Sequence, residues 1–219
     1  TKHRHGYHEF KAGSMLLADA LNKSDLGINA KVHWYGWPED ESILNDVDAI
    51  IIYADKGGEL AEKHDFLDKK IKDGMGIMFM HYGVHPTKEA GEQYFKKWIG
   101  GYFDEEFSTN PSWIADIAPK KGHAVARGGE LPLKVYDELY FNMNFKENCA
   151  YCYPLATAIP TAENMIRYGS NKFWSQSAAN QLGKEQALIW CHDSKNAGRG
   201  AGFVGGHYHN NWAVDNYRK

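Results

Sequence analysis

Apolar positions recur at two different spacings along the 219-residue chain, and the alternation between them predicts its elements. From Lys11 to Lys23, Met15, Leu16, Ala18 and Leu21 fall near helical spacing, and the segment runs out at Ser24-Asp25-Leu26-Gly27. Ala30 to Tyr35 has strand character through Val32, Trp34 and Tyr35, ending at Gly36-Trp37-Pro38, and a short helix is expected over Asp40 to Leu44. Asp48 to Ala54 is the clearest strand, since its continuous apolar run suits a parallel strand buried on both faces. Leu60 to Lys72 reads as a helix with Leu60, Phe66, Leu67 and Ile71 inward. Gly74-Met75-Gly76 breaks it, Ile77 to Met80 is the next buried strand, and Thr87 to Trp98 is a helix stopped by Gly100-Gly101.

This alternation predicts an α/β fold with a doubly wound, mostly parallel sheet and helices on both faces. After Gly101 the pattern changes. Trp113 to Ile117, Leu139 to Met143, Leu155 to Ile159, Ala187 to Cys191 and Ala201 to Gly205 read as strands with few helices between them, and residues 104–112 and 171–183 as long irregular connections. One domain spanning 1–219, with an antiparallel extension at one edge, is the expectation. Neither repeats nor a dividing linker are visible.

Composition changes this picture little. The formal net charge of -3 gives no reason to propose nucleic acid as a partner. No apolar run is long enough for membrane insertion as a helix. The polar opening Thr1-Lys2-His3-Arg4-His5 is not a signal peptide, and the compartment stays open. Seven tryptophans suit sugar rings but also fill cores, and the core reading comes first. Cys149, Cys152 and Cys191 are read as partly buried thiols, because three cysteines cannot all pair and the lone CxxC has no second half for structural zinc.

Candidate chemistry follows from one rule: open α/β sheets bind ligands beyond the carboxyl ends of their parallel strands. There the chain places Asp55 and Gly57 after the first buried strand, His81, Tyr82 and His85 after the second, and Gly206, His207 and His209 after the last. Met80-His81-Tyr82-Gly83 occupies the turn where related folds carry a nucleophile, but offers neither Ser nor Cys, which argues against acyl transfer. His81 is suited instead to acid–base work or to holding a metal, or else shapes its loop through a backbone hydrogen bond. His8 and Glu9 precede the first helix, where Glu9 also complements the helix dipole. His3, His5 and His8 are close enough to bind a metal, or form a solvated stretch. Glu138 is the carboxylate chosen to partner His81 or His207, and Arg199 could clamp a carboxylate or sugar hydroxyls, although a surface role is equally open. No phosphate-loop motif occurs.

Several of these segments stand in the order of a known family. His8-Glu9-Phe10-Lys11-Ala12-Gly13, Gly36-Trp37-Pro38, Asp48 to Tyr53 with Gly57-Gly58, Gly76 to His81, Phe95 to Gly101, Asp137-Glu138-Leu139-Tyr140, Gly198-Arg199, Gly206-His207 and Trp212 together resemble the trehalose-utilisation (ThuA-like) family. The resemblance implies a flavodoxin-like sheet, similar to class I glutamine amidotransferases but without their catalytic cysteine. It implies a role in disaccharide or glycoside utilisation, beside dehydrogenases that generate 3-keto sugars. On that reading the ligand is a small-molecule carbohydrate, His81, Glu138 and His207 are catalytic, and His8, Glu9, Asp55, Gly57, Tyr82 and Arg199 bind substrate. A non-catalytic sugar-binding domain is the alternative. No organic cofactor is expected, and a divalent metal on His8, His81 or His207 is a variant. The family also has a buried strand before the His-Glu-Phe motif and a helix after the last Gly-His. Thr1 to Tyr7 is too polar for that strand, so a trimmed chain, a replacement strand or a homo-oligomer is expected to account for the gap.

Overall fold

The computed structural model of the chain describes residues 3–60, 62–128, 132–168 and 173–218. In order, it forms α1 (Phe10–Asn22), β1 (Ala49–Tyr53), α2 (His64–Lys72) and β2 (Gly76–Met80). A continuous helical stretch follows, built of α3 (Lys88–Ala90), a π segment (Gly91–Phe95) and α4 (Lys96–Trp98). Beyond it lie β3 (Gly101–Tyr102), β4 (Ser112–Pro119), β5 (Leu133–Glu138), β6 (Asn144–Phe145), β7 (Cys152–Ala158), β8 (Met165–Arg167), α5 (Gln176–Ala179), β9 (Gln186–His192), β10 (Gly200–Phe203) and α6 (Asp215–Arg218). The short helix expected over residues 40–44 is a 3-10 turn, Glu41–Leu44, capped by the Asp40 carboxylate accepting from the Ser42 N–H.

The expected α/β class is what the chain builds, although within its main sheet only β1, β2 and β10 pair in parallel. The main sheet runs β1-β2-β10-β9-β7-β4-β5, with β8 also on β4. β1, β2 and β10 are parallel, and their last residues, Tyr53, Met80 and Phe203, lie in register side by side. From β10 onward, β9, β7, β4 and β5 pair antiparallel and form the edge extension. Three tryptophans, Trp98, Trp113 and Trp190, are fully buried in one continuous core with Phe79, Phe95, Leu67 and Leu188, as the core reading of these residues expected. Each indole N–H is met, those of Trp113 and Trp190 by the Leu139 and Ile99 carbonyls. No described helix is long and apolar enough to cross a membrane.

Five local expectations need correction. Ala30 to Tyr35 forms no strand and joins no sheet among the described residues. A strand needs a neighbour for its N–H and C=O groups, β1 pairs only with β2, and the left-handed Tyr35 (φ 75°) ends the run. Burial of β1 on both faces is also not met, because at this edge Ala49 and Ile51 are exposed. The helix from Lys11 is present, yet Met15 and Leu16 of its apolar stripe face solvent. Leu139 to Met143 is buried but not a strand: its neighbour β5 comes earlier, so Asp137 and Glu138 close a strand rather than open one, and Asn142 turns left-handed at φ 57°. Finally, Cys149 and Cys152 are joined by a disulfide, since their Cα atoms are 5.4 Å apart, and only Cys191 is a free thiol. Of the connection 171–183, residues 171 and 172 lie outside the described residues.

One buried carboxylate ties α2 to α4. Asp68 accepts from Trp98 Nε1 at 2.9 Å and pairs with Lys97 and, at 2.7 Å, with Lys72. Burial alone would raise its pKa, but the hydrogen bonds from Lys72, Lys97 and Trp98 outweigh burial and bring it down to about 2. A depressed carboxylate stabilises the fold above its unfolded pKa and loses that contribution as pH falls toward the folded value. Because both lysines are about half exposed, the effect should be roughly 1 kcal/mol. Asp68→Asn is therefore expected to lower the urea midpoint at pH 7 and to match the parent near pH 2. An equal deficit at both pH values would show that the charge is not the cause.

Candidate functional site

Three backbone segments meet beyond the carboxyl ends of β2 and β10, and each is fixed by a local device. His81 directly follows Met80 of β2 and is left-handed (φ 51°), as is His8 (φ 51°) just before α1. Such a conformation is uncommon for residues other than glycine and is held only by surrounding structure. His207 follows Gly206, whose φ of 118° is a glycine conformation, with its carbonyl bonded by the Tyr53 hydroxyl. The His8 N–H donates to the His207 carbonyl at 3.0 Å, and Tyr7 bridges to Tyr208, which clamps the N-terminal segment to this loop.

Asp137 holds the loop from the other side. Its fully buried carboxylate accepts from the N–H groups of Gly206 (2.9 Å), His207 (3.2 Å) and Tyr208 (3.1 Å), from its neighbour Glu138 (2.9 Å) and from the Tyr217 hydroxyl (2.7 Å). Burial raises its pKa against the opposing pull of these bonds. The next residue, Glu138, thereby enters the same space.

The result is a tight four-residue cluster. His8 Nε2 lies 2.8 Å from His81 Nε2 and 3.0 Å from His207 Nδ1, and the latter two are 3.3 Å apart. Glu138 Oε2 is 3.2 Å from His207 Nδ1 and 3.5 Å from His81 Nε2. His81, Glu138 and His207 are buried and His8 half-buried. Burial first, then the neighbouring imidazoles, lowers the pKa of His8 to about 3 and that of His81 well below its usual value, so both rings are neutral at pH 7.

Hydrogen-bond logic then assigns which nitrogens carry lone pairs. His81 Nδ1 faces the Val204 carbonyl at 2.9 Å, which can only accept, so its Nε2 is bare. Asp55 Oδ1 is 2.6 Å from His3 Nε2, and His3 Nδ1 is 3.1 Å from His8 Nδ1. If His3 donates to Asp55, it accepts from His8 Nδ1–H, and His8 Nε2 is bare as well. This carboxylate–imidazole support is the arrangement that orients metal-binding histidines. Ligands about 2.0–2.1 Å from a tetrahedral ion sit about 3.3–3.4 Å from one another, close to the spacings seen here. Three imidazoles, with a carboxylate beside them, thus form a set able to hold a divalent cation. Tyr140, fully buried and kept protonated by burial, adds a hydroxyl 3.3 Å from His81 Nε2.

Of the residues singled out in the sequence, His8, His81, Glu138 and His207 come together, and Asp55 joins through His3. Tyr82 borders the cluster, its ring 5.9 Å from that of His8. Glu9 turns away to accept from the Gly6 N–H at 2.9 Å. Gly57, left-handed, packs under Pro86, where a Cβ would come within 2.8 Å of backbone; it lines a separate groove of about 490 Å³ with Lys56, His64 and Tyr94 that contains none of the four cluster residues. Arg199 is not at the site. It precedes β10, and its carbonyl accepts from Ile77 at the start of β2, at the opposite end of the strands. His5 does not belong to the cluster either. Sequence reasoning missed the roles of Asp137, Tyr140 and His3. For Asp137 a signal existed: it shares the inward parity of Val135 in β5, where an acid must find partners.

The model of the trehalose-utilisation (ThuA) family matches residues 3–219. A protein described as ThuA-like from Bacteroides uniformis has a similar solved structure, with a TM-score of 0.66 and 16% identity over 100% of this chain and 84% of that one. Another so described, from Parabacteroides merdae, gives a TM-score of 0.63 and 17% identity over 91% and 76%. At such identities the likeness is one of fold. No curated protein sequence matches this one.

The cluster predicts one tight divalent-ion site. Calorimetric titration with Zn²⁺ or Mn²⁺ should give one ion per chain, weakened about 10–100-fold by Asp55→Asn and further by His81→Ala. Unchanged affinity in His81→Ala would remove the site.

Proposed function

This chain belongs to the trehalose-utilisation (ThuA) family, and from that premise we propose that it is an enzyme acting on a glycoside of a 3-keto sugar at the His8–His81–Glu138–His207 cluster. The family gives the chain a sugar-related role. The observation that carries the rest is the set of imidazole nitrogens facing one carboxylate, 2.8–3.5 Å apart.

Three histidines around a cation form an open site of the kind catalytic ions use, which leaves Glu138 free to act as base. A bound divalent ion would polarise the sugar's carbonyl oxygen. The carbon between that carbonyl and the anomeric centre carries an acidified proton. Glu138 removes it, and the Tyr140 hydroxyl donates a hydrogen bond to the oxygen on which charge develops. The electron pair expels the glycosidic oxygen from the anomeric carbon, and Glu138 returns its proton to that leaving group. Water then adds across the new double bond in the reverse sense, so the sum is hydrolysis without a Ser or Cys nucleophile.

The surroundings suit a sugar. Tyr7 and Tyr208 lie 5.1 and 4.6 Å from the His207 ring, flat faces of the kind that pack on pyranose rings. Asn110 donates to Glu138 Oε1 at 3.3 Å, while its own buried Oδ1 finds no partner among the described residues and is available to a hydroxyl. Arg167, 4.0 Å from Glu138 on the exposed side, takes the place at the rim that Arg199 does not fill.

Incubation of the zinc- or manganese-loaded protein with 3-keto-trehalose or a 3-keto-glucoside should release free glucose. Glu138→Gln should slow release about 10²–10⁴-fold while the ion stays bound. Sugar binding with no turnover under any metal would identify a binding module instead, and full activity in Glu138→Gln would show that another group is the base.

A further inference from the structure

The disulfide at the start of β7 has features of a reversible switch rather than a staple. Cys149 and Cys152 are both half-buried, within reach of a small reductant. Their bond spans a sequence separation of 3, and a cross-link restrains the unfolded chain less the shorter the loop it closes. The β7–β9 and β9–β10 ladders already hold this region. Cys152 lies across from His192, the last residue of β9, and a ring nitrogen of His192 is within 4.8 Å of both sulfurs. His192 is buried, and its Nδ1 faces the Trp98 carbonyl at 3.3 Å, so this carbonyl orients the ring as outer partners orient metal-binding imidazoles.

We propose that reduction of the Cys149–Cys152 disulfide opens a second metal site, in which the two thiolates and the His192 imidazole hold a soft divalent ion such as Zn²⁺. A dithiol reductant supplies the electron pair. The S–S bond breaks, two thiols form, and the reductant leaves as its own disulfide. Ion binding then releases two thiol protons to solvent and forms two sulfur–metal bonds and one nitrogen–metal bond, with water in the fourth position. His192 pairs with Gly200 at the start of β10, whereas His207 follows its end, so this site lies at the opposite end of that strand from the His–Glu cluster and fills independently of it. A nearby group, Cys191 with His123 and Asp193, is already closed on itself, since His123 Nε2 is 3.0 Å from Asp193 Oδ2.

Cobalt(II) alone is the probe, titrated into the full chain before and after treatment with dithiothreitol and its anaerobic removal. The oxidised chain should show no sulfur-to-cobalt charge-transfer band. The reduced chain should bind one further equivalent, with that band, and release it to zinc. Cys152→Ser and His192→Gln should weaken the added site about 10-fold or more, and Cys191→Ser should leave it unchanged; Cys149→Ser replaces Cys152→Ser if circular dichroism shows the latter unfolded. Equal cobalt stoichiometry in both redox forms would overturn the proposal. So would a band that survives His192→Gln at parent affinity, or one lost in Cys191→Ser.

Discussion

The Asp137 carboxylate sits out of contact with solvent, and five donors close on it, four of them backbone N–H groups. A carboxylate in so dry a place is tolerated only when its lone pairs are met, and meeting them here fixes the loop from Gly206 to Tyr208 against the end of β5. That single anchorage decides where His207 stands, because the N–H of His207 is one of the donors. It also decides where Glu138 stands, as the next residue along. The His8 N–H bond to the His207 carbonyl then carries the constraint to the N-terminal segment, and the β2–β10 register carries it to His81.

Convergence of three imidazoles would be costly if they were charged. Burial resolves this by keeping His8 and His81 neutral, and outward partners direct the lone pairs inward: the Val204 carbonyl for His81, and the Asp55–His3 pair for His8. Neutral nitrogens at such short spacing repel one another through their lone pairs, and a central cation turns that repulsion into coordination. The left-handed backbone at both His8 and His81 fits the same picture, in which local strain is held by the surrounding fold at the place where chemistry occurs.

Much of this was legible in the sequence. The parallel core could be read because Ile50-Ile51-Ile52 and Ile77-Met78-Phe79 are strand-length apolar runs, and the rule that ligands bind beyond their carboxyl ends led to His81 and His207 directly. Glu138 was legible as a carboxylate but not as the end of a strand, because buried residues on both sides of Leu139 imitate strand periodicity. Ala30 to Tyr35 failed for a different reason: local propensity describes a strand's side chains, not whether a neighbour exists to pair with it. Arg199 was misplaced because the turn that carries it precedes β10, which runs parallel to β2, so the turn falls at the amino ends of these strands and away from the cluster. The His3–Asp55 support and the Asp137 anchor join residues far apart in the chain, and no spacing rule encodes such pairs.

The account stands on the convergence of three imidazole nitrogens around one ion, and a crystal of the zinc-soaked protein, read by anomalous scattering at the zinc edge, examines it most directly. The account predicts one strong peak about 2.0–2.1 Å from His8 Nε2, His81 Nε2 and His207 Nδ1, with the Glu138 carboxylate facing it. A zinc peak bound away from these histidines, with their nitrogens still in mutual contact at saturating metal, would contradict it.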